Sequence, residues 1–442
     1  CNLNYIASTF IKIGVNMFYL FVVSLFFGSC LDYYIWRKIT PSMISVIGIY
    51  VILFIHAAIG ESLGFLPVES NVYFFITTFY VVGLFASLSC AFGMSFLSKG
   101  IVLNTRVTDK YYGLKIRKNI INITVVVSLI CCFFIYKGWS EVGSFVSDDF
   151  EGTLTYGIAG HFFAILVALI PFLLKAYYSK RTKSVFLLLV FVLVLLFMKQ
   201  VKYWVMIPLV WMFWYSIVAG YIKLSIRKFL FISLVLAFLL VSLFFSVYFM
   251  KVFFREGSEN VDYNTVLIEI MIHFFGYLYS GLLTFSVYIS DGLYNAFIPS
   301  DILGLFSGPV NIINVILNDN LINLTLPKYF VVINKITGTT GNVPTLWGTL
   351  LLAGGYYAYV FYFFMFFCIY LLLWFAKRSQ CFLIIYTFIT SFLFFSWFDY
   401  YYYLLMPFEV TVLIFIFYTI FERKIKFRNI TLFSGESYDE TR

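Results

Sequence analysis

Charged residues make up only 12% of this 442-residue chain, about half of what a soluble globular surface carries. That scarcity excludes a chain folded wholly in water, because too few polar groups exist to cover it. Histidine occurs three times, and the seven cysteines form no C-x-x-C or Cys/His spacing, so a disulfide framework or zinc site is not encoded. The G-x-x-x-x-G-K-[ST], G-x-G-x-x-G and H-E-x-x-H motifs are missing as well, which removes a P-loop, a dinucleotide fold and a zinc peptidase. The sequence does hold 62% hydrophobic residues, 56 Phe and 35 Tyr, at a mean hydropathy of +0.95. Aromatics are so abundant that no single one carries meaning by itself.

Runs of about 20 apolar residues are long enough to cross a bilayer as helices. About eleven are expected, centred near Leu20, Val51, Val82, Val126, Ile165, Leu193, Trp211, Leu236, Tyr362, Ile389 and Leu413. The fold class expected is therefore an all-α polytopic integral membrane protein, one transmembrane unit over 1–442. Its single large exterior loop, 251–345, contains short helices. The net charge of +9 reads as orientation and not as nucleic-acid binding. Most of the 30 basic residues fall in alternate loops, such as Arg37-Lys38, Lys99–Lys118, Lys180–Lys183, Lys223–Lys228, Lys377-Arg378 and the tail. The positive-inside rule places these in the cytoplasm, with the N-terminus outside and the C-terminus inside.

Exterior cations are the first candidates for chemistry. Lys199 and Lys202 lie between two apolar runs, where charge is costly and often functional; either an anion contact or a snorkelling anchor satisfies that position. Lys251 and Arg255 share one helical face, and the planar Arg255 fork suits a phosphate, with an interface anchor as the alternative. Glu269 and His273, four apart, form an acid/base pair or a solvated pair on one side of a helix. His56 and His161 read as satisfied core histidines, and Glu409 as an unusual membrane carboxylate. Asp149-Phe-Glu151 has the spacing of a metal-binding D-x-D pair, but a solvated acidic loop is the default reading. Gly338–Gly348, with Pro344, breaks regular structure and offers Thr and Asn groups to a ligand.

Taken in order, Ile39-Thr-Pro-Ser42, Tyr277–Phe285 and Asn342-Val-Pro-Thr345 with Gly348 and Gly354-Gly355 resemble the bacterial O-antigen, or oligosaccharide repeat-unit, polymerase family (Wzy type). The late, dominant exterior loop is similar too. One departure is Lys199-Gln-Val-Lys202, where that family often has an Arg-containing turn. The resemblance implies an enzyme of the bacterial inner membrane that joins undecaprenyl-pyrophosphate-linked oligosaccharides at the exterior face. Its products are surface polysaccharides such as O-antigen or capsule. It further implies Lys199, Lys202, Arg255 and Lys335 at the pyrophosphate, Glu269 or His273 as base or orienter, and Asn342 and Thr345 on sugar. No metal or cofactor is called for, and a chain-length regulator is an admissible membrane partner. An O-antigen ligase or another lipid-linked-sugar glycosyltransferase shares these features. A lipid-linked oligosaccharide transporter would instead show two similar halves and charges through the spans.

Overall fold

The computed structural model describes residues 2–98, 112–145, 147–155, 157–222, 263–295, 301–318 and 328–422, with scattered positions between 227 and 246 and in the tail. The expected span near Leu236, Lys251 and Arg255 lie outside the described residues. In chain order the helices are α1 (Asn2–Trp36), α2 (Pro41–Ile55), α3 (Ser70–Ser98), α4 (Leu114–Val142), α5 (Asp148–Thr155), α6 (Ile158–Ser179), α7 (Lys183–Met198) and α8 (Tyr203–Val218). They continue as α9 (Tyr263–Ser290), α10 (Asp301–Gly304), α11 (Ser307–Leu317), α12 (Leu346–Gly354), α13 (Ala358–Ala376), α14 (Gln380–Leu393) and α15 (Met406–Glu422). The protein is a multi-pass, all-α membrane protein. Seven stretches among the described residues are helical, long and apolar enough to cross a membrane.

Of the seven, the first five and the last coincide with expected apolar runs, the last with the run near Tyr362, whereas α7, α8 and α14 are shorter apolar helices. The sixth, Ile268–Ser290, belongs to α9 and lies inside the segment expected to be a loop. Its composition disguised it. Gly276, Ser280 and Thr284 recur every fourth residue, and the chain packs on that small-residue stripe: a Cβ on Gly276 would meet Thr339, and Gly341 sits against Ser280 and Thr284. Small residues permit such close approach between elements inside a membrane.

The chain divides into two units. One comprises Cys1–Leu103, Val241–Trp374 and Phe392–Leu405; the other comprises Asn104–Leu240, Phe375–Ser391 and Met406–Arg442. In the first, α2 starts on Thr40, whose side chain accepts from Met43 N, followed by Pro41; this is the usual polar cap with proline at the first helical position. A buried carboxylate ties helices together nearby. Asp32 accepts from Ser87 Oγ and Tyr370 OH, and Trp36 Nε1 donates to Ser87 Oγ at 2.8 Å.

At the other end of α2 a hairpin docks. Val331–Val332 pairs with Thr340–Gly341, Leu66 N donates to Ile333 O, and Lys335 N donates to Gly64 O, both at 3.0 Å. Buried Asn334 organises the turn, its Nδ2 donating to Leu63 O and its Oδ1 accepting from Ile336 N and Thr337 N. From there the chain plunges along α2. Thr345 N donates to Gly281 O and Leu346 N to Ser396 O, while Ser396 Oγ donates to Ser45 O, far inside α2.

Helix α12 begins at that depth, and all nine of its residues are buried. It does not run on into α13. Trp347 Nε1 reaches Tyr362 OH at 3.5 Å, 15 residues later, whereas a continuous helix would separate them by about 22 Å along its axis. The chain turns at Gly354-Gly355, where Gly355 has φ +51°. The apolar window Leu346–Ala376 is thus a buried half-helix folded back on a longer one. Irregular backbone at such depth is tolerated where protein surrounds it. Asp399 fastens the arrangement, accepting from Thr349 Oγ1 (3.0 Å), Tyr400 N (2.7 Å) and Lys328 Nζ (2.6 Å).

In the second unit, α8 and α14 are joined by Trp211 Nε1 to Thr387 Oγ1 (3.1 Å) and Trp214 Nε1 to Thr390 Oγ1 (2.9 Å). Lys175 is buried near the end of α6, donating to Glu422 (2.8 Å) and Gln380 (2.9 Å) over the ring of Tyr112.

Candidate functional site

Among the described residues, one cluster of charge stands in the second unit, where α6 and α15 start side by side. Helix α6 opens after Gly157, which has φ +69° and gives no side-chain cap. An uncapped helix start presents N–H groups and the positive end of the helix dipole. Lys199, at the turn after α7, brings its ammonium to the same place. Its Nζ lies 3.9 Å from where a Cβ on Gly160 would be, and that Cβ would also stand 2.7 Å from Thr155 O. Glycine at 160 therefore lets both the preceding loop and the lysine close on the first turn of α6.

Lys199 is 0% exposed, and its ammonium has no hydrogen-bond partner. It rests 3.5 Å from the centre of the Trp204 ring and 5.3 Å from that of Phe163. Aromatic faces compensate a cation only in part. Burial pushes its pKa down to about 7, with Glu409, Cys131 and Glu151 pulling it back up. The lysine thus exchanges its proton near neutrality while facing a helix start that repels positive charge.

Beside it, His161 Nδ1 and Glu409 Oε1 are 2.7 Å apart. Each residue sits in the first turn of its own helix, and the His161 side chain is 55% exposed against 20% for Glu409. A carboxylate on Nδ1 fixes the tautomer and leaves Nε2 to accept a proton. Next to the same helix start, a cavity of about 250 Å³ is lined by Phe134, Lys137, Gly138 and Glu141 of α4, Thr153 of α5, and Ile158 and Ala159 of α6.

The residues proposed from the sequence divide between the units. Lys199 and Lys202 belong to this centre's unit, but Lys202 is exposed where Lys199 is buried. Glu269, His273, Lys335, Asn342 and Thr345 belong to the other. There Glu269 is exposed on α9, and half-buried His273 packs edge-on against Tyr277 at 5.1 Å. Lys335 is exposed at the hairpin, Asn342 is half-buried, and Thr345 is buried as the cap of α12, accepting from Gly348 N at 3.1 Å. Arg255 lies outside the described residues.

His56 is the core histidine expected, bonded to Leu66 O at 3.0 Å and packed on Tyr279. His161 is not; its partner lies 248 residues away, a separation no local motif reveals. Asp149 and Glu151 stand on α5, two apart, and residues so spaced on a helix do not face a common ion. Among the described residues, no three His, Cys, Asp or Glu side chains converge as a metal site.

The sequence model of a family of unknown function, DUF6337, matches residues 68–429. No curated protein and no solved structure matches the chain.

Proposed function

We propose that this chain, which belongs to the DUF6337 family, polymerises undecaprenyl-pyrophosphate-linked oligosaccharide repeat units into a surface polysaccharide at the exterior face of a bacterial inner membrane. The observation that carries the reading is the buried, unbonded Lys199 ammonium aimed at the uncapped start of α6. A helix start and a desolvated cation together form an anion site, and a departing pyrophosphate is the anion such a reaction generates.

The chemistry then follows. The bond from the anomeric carbon of the growing chain to the pyrophosphate oxygen breaks, and the charge left on that oxygen is held by Lys199 and the α6 N–H groups. A hydroxyl of the next lipid-linked unit attacks the same carbon. His161, oriented by Glu409, takes its proton on Nε2. In this reading the paired His161 fills the base role that the sequence assigned to Glu269 or His273. The cavity beside α6 has room for one sugar ring, with Phe134 as an apolar wall and Lys137 and Glu141 as polar partners. The surrounding topology is about eleven crossings, with the N-terminus outside and the C-terminus cytoplasmic.

The test is polymerisation of purified lipid-linked repeat units by the chain in nanodiscs. Lys199→Met is expected to lower the rate on the order of 10²–10³-fold, and His161→Gln about 10²–10⁴-fold. Wild-type rates from both variants would refute the assignment.

A further inference from the structure

Helix α11 is built inside out for a helix in water. Ser307, Asn311, Asn314 and Asn318 recur at intervals of four, three and four, which gathers them into one stripe. Every other residue from Gly308 to Leu317 is apolar or glycine, and no Asp, Glu, Lys or Arg occurs between Ile302 and Asn318. The stripe begins against protein: Ser307 Oγ donates to Tyr403 O at 3.1 Å, and Asn314 is half-buried. Gly308 rests on the backbone of Leu404 and Leu405. Asn311 and Asn318 of the stripe are exposed, and the apolar side is open along its length. Val315 is 80% and Ile316 74% exposed, and Ile312, Ile313 and Leu317 are exposed too. No residue of the helix is buried.

We propose that α11 is an interfacial membrane helix, seated with Ile312–Leu317 among the acyl chains of the bilayer. An isolated helix of this length is marginal in water, so its surroundings must supply what the protein core does not. The five open side chains span roughly 200° of the helix circumference at 100° per residue. A protein groove covers a narrower apolar stripe, whereas lipid surrounds a helix to whatever depth its apolar arc allows. The same unit presents other apolar side chains outward from a membrane-length stretch, Val360 and Phe364 of α13, so lipid against α11 continues a surface the unit already has. With no basic residue, α11 is held by apolar burial alone and is indifferent to anionic headgroups. This seating is independent of the proposed reaction.

The test uses the full chain, with its native cysteines replaced, in phosphatidylcholine nanodiscs. Nitroxide labels are placed singly through Val315→Cys, Ile316→Cys and Asn311→Cys. Labels at 315 and 316 are expected to collide several-fold more often with oxygen than with a water-soluble nickel chelate, and the label at 311 to favour the chelate. Adding phosphatidylglycerol leaves these ratios unchanged. Dominant chelate collisions at 315 and 316 would place the helix in water, and low collision with both reagents would place protein over it; either overturns the proposal. Hydrogen exchange on the unsubstituted chain guards against labelled variants that fail to fold. The 312–317 amides should exchange at least tenfold slower than an unprotected peptide, and exchange at the unprotected rate refutes the seating.

Discussion

Lys199 poses a conflict between stability and activity that a single side chain can resolve. In the unfolded chain its amine keeps the ordinary value of 10.5, and burial lowers it to about 7. Between those values the unfolded chain binds more protons, so the lysine's contribution to stability improves as pH rises through that window and is poorest below about 7. Lys199→Met removes the buried charge without opening a large cavity. It is expected to stabilise the protein by about 1–4 kcal/mol near neutrality, as hydrophobic replacement of buried charge often does, read as a higher Tm in detergent. The same variant should lose polymerisation, and that opposition marks a residue kept for function. If the protonated amine holds the anion, activity falls as pH rises past its pKa, which a bound anion displaces above 7. Lys199→Arg keeps its charge throughout and should abolish that high-pH limb in a rate–pH profile; an unchanged limb would assign it elsewhere.

Helices α12 and α9 show what kind of information a sequence does and does not carry. Thr40-Pro41 and Thr345 stand in the motifs that carry the resemblance, Thr345 as a sugar contact, and in the structure both are helix starts; capping is local chemistry. The reversal at Gly354-Gly355 is not legible: an apolar run looks the same whether it continues or folds back, and the Trp347–Tyr362 contact and the positive φ of Gly355 tell them apart. Helix α9 reads as loop in the sequence because the small and polar residues that let the 339–345 segment approach it also dilute its hydropathy. His161 and Glu409 were each visible, but their pairing depends on where α6 and α15 start. Two substitutions weigh these contacts. Thr345→Val should cost about 0.5–2 kcal/mol through the lost cap. Gly281→Ala should cost at least as much, since its Cβ would press into the backbone of Trp397 and Phe398. A Gly281→Ala protein melting like wild type would mean that α9 does not approach that backbone so closely.

Across the whole molecule, hydrogen bonds sort the ends of the helices without counting spans. In the first unit, Lys335 is fastened by its backbone to Gly64, just past Leu63 at one end of the α2 segment. Lys38 precedes Pro41 at the other, in the chain's first basic loop. The window Pro41–Leu63 is 23 residues long, about 34 Å as helix and enough to cross a hydrocarbon core of about 30 Å. Lys38 and Lys335 are therefore expected on opposite faces of the membrane, whatever the status of α9, α12 and the residues not described. In the second unit Lys137 lies with the start of α6, lining the same cavity as Ile158, and Lys183 follows its far end; α6 is 22 residues long, so these two are also expected apart. The positive-inside rule then assigns Lys38 and Lys183 to the cytoplasm. Single cysteines at the four positions, in a chain lacking its native ones, test this with a membrane-impermeant maleimide. Positions 335 and 137 should label in cells with an opened outer envelope and an intact inner membrane, and positions 38 and 183 only after that membrane is permeabilised. The reverse pattern would invert the protein and move Lys199 and the His161–Glu409 pair to the cytoplasmic face. There an exterior polymerase has no substrate, so the orientation experiment alone can end the functional proposal.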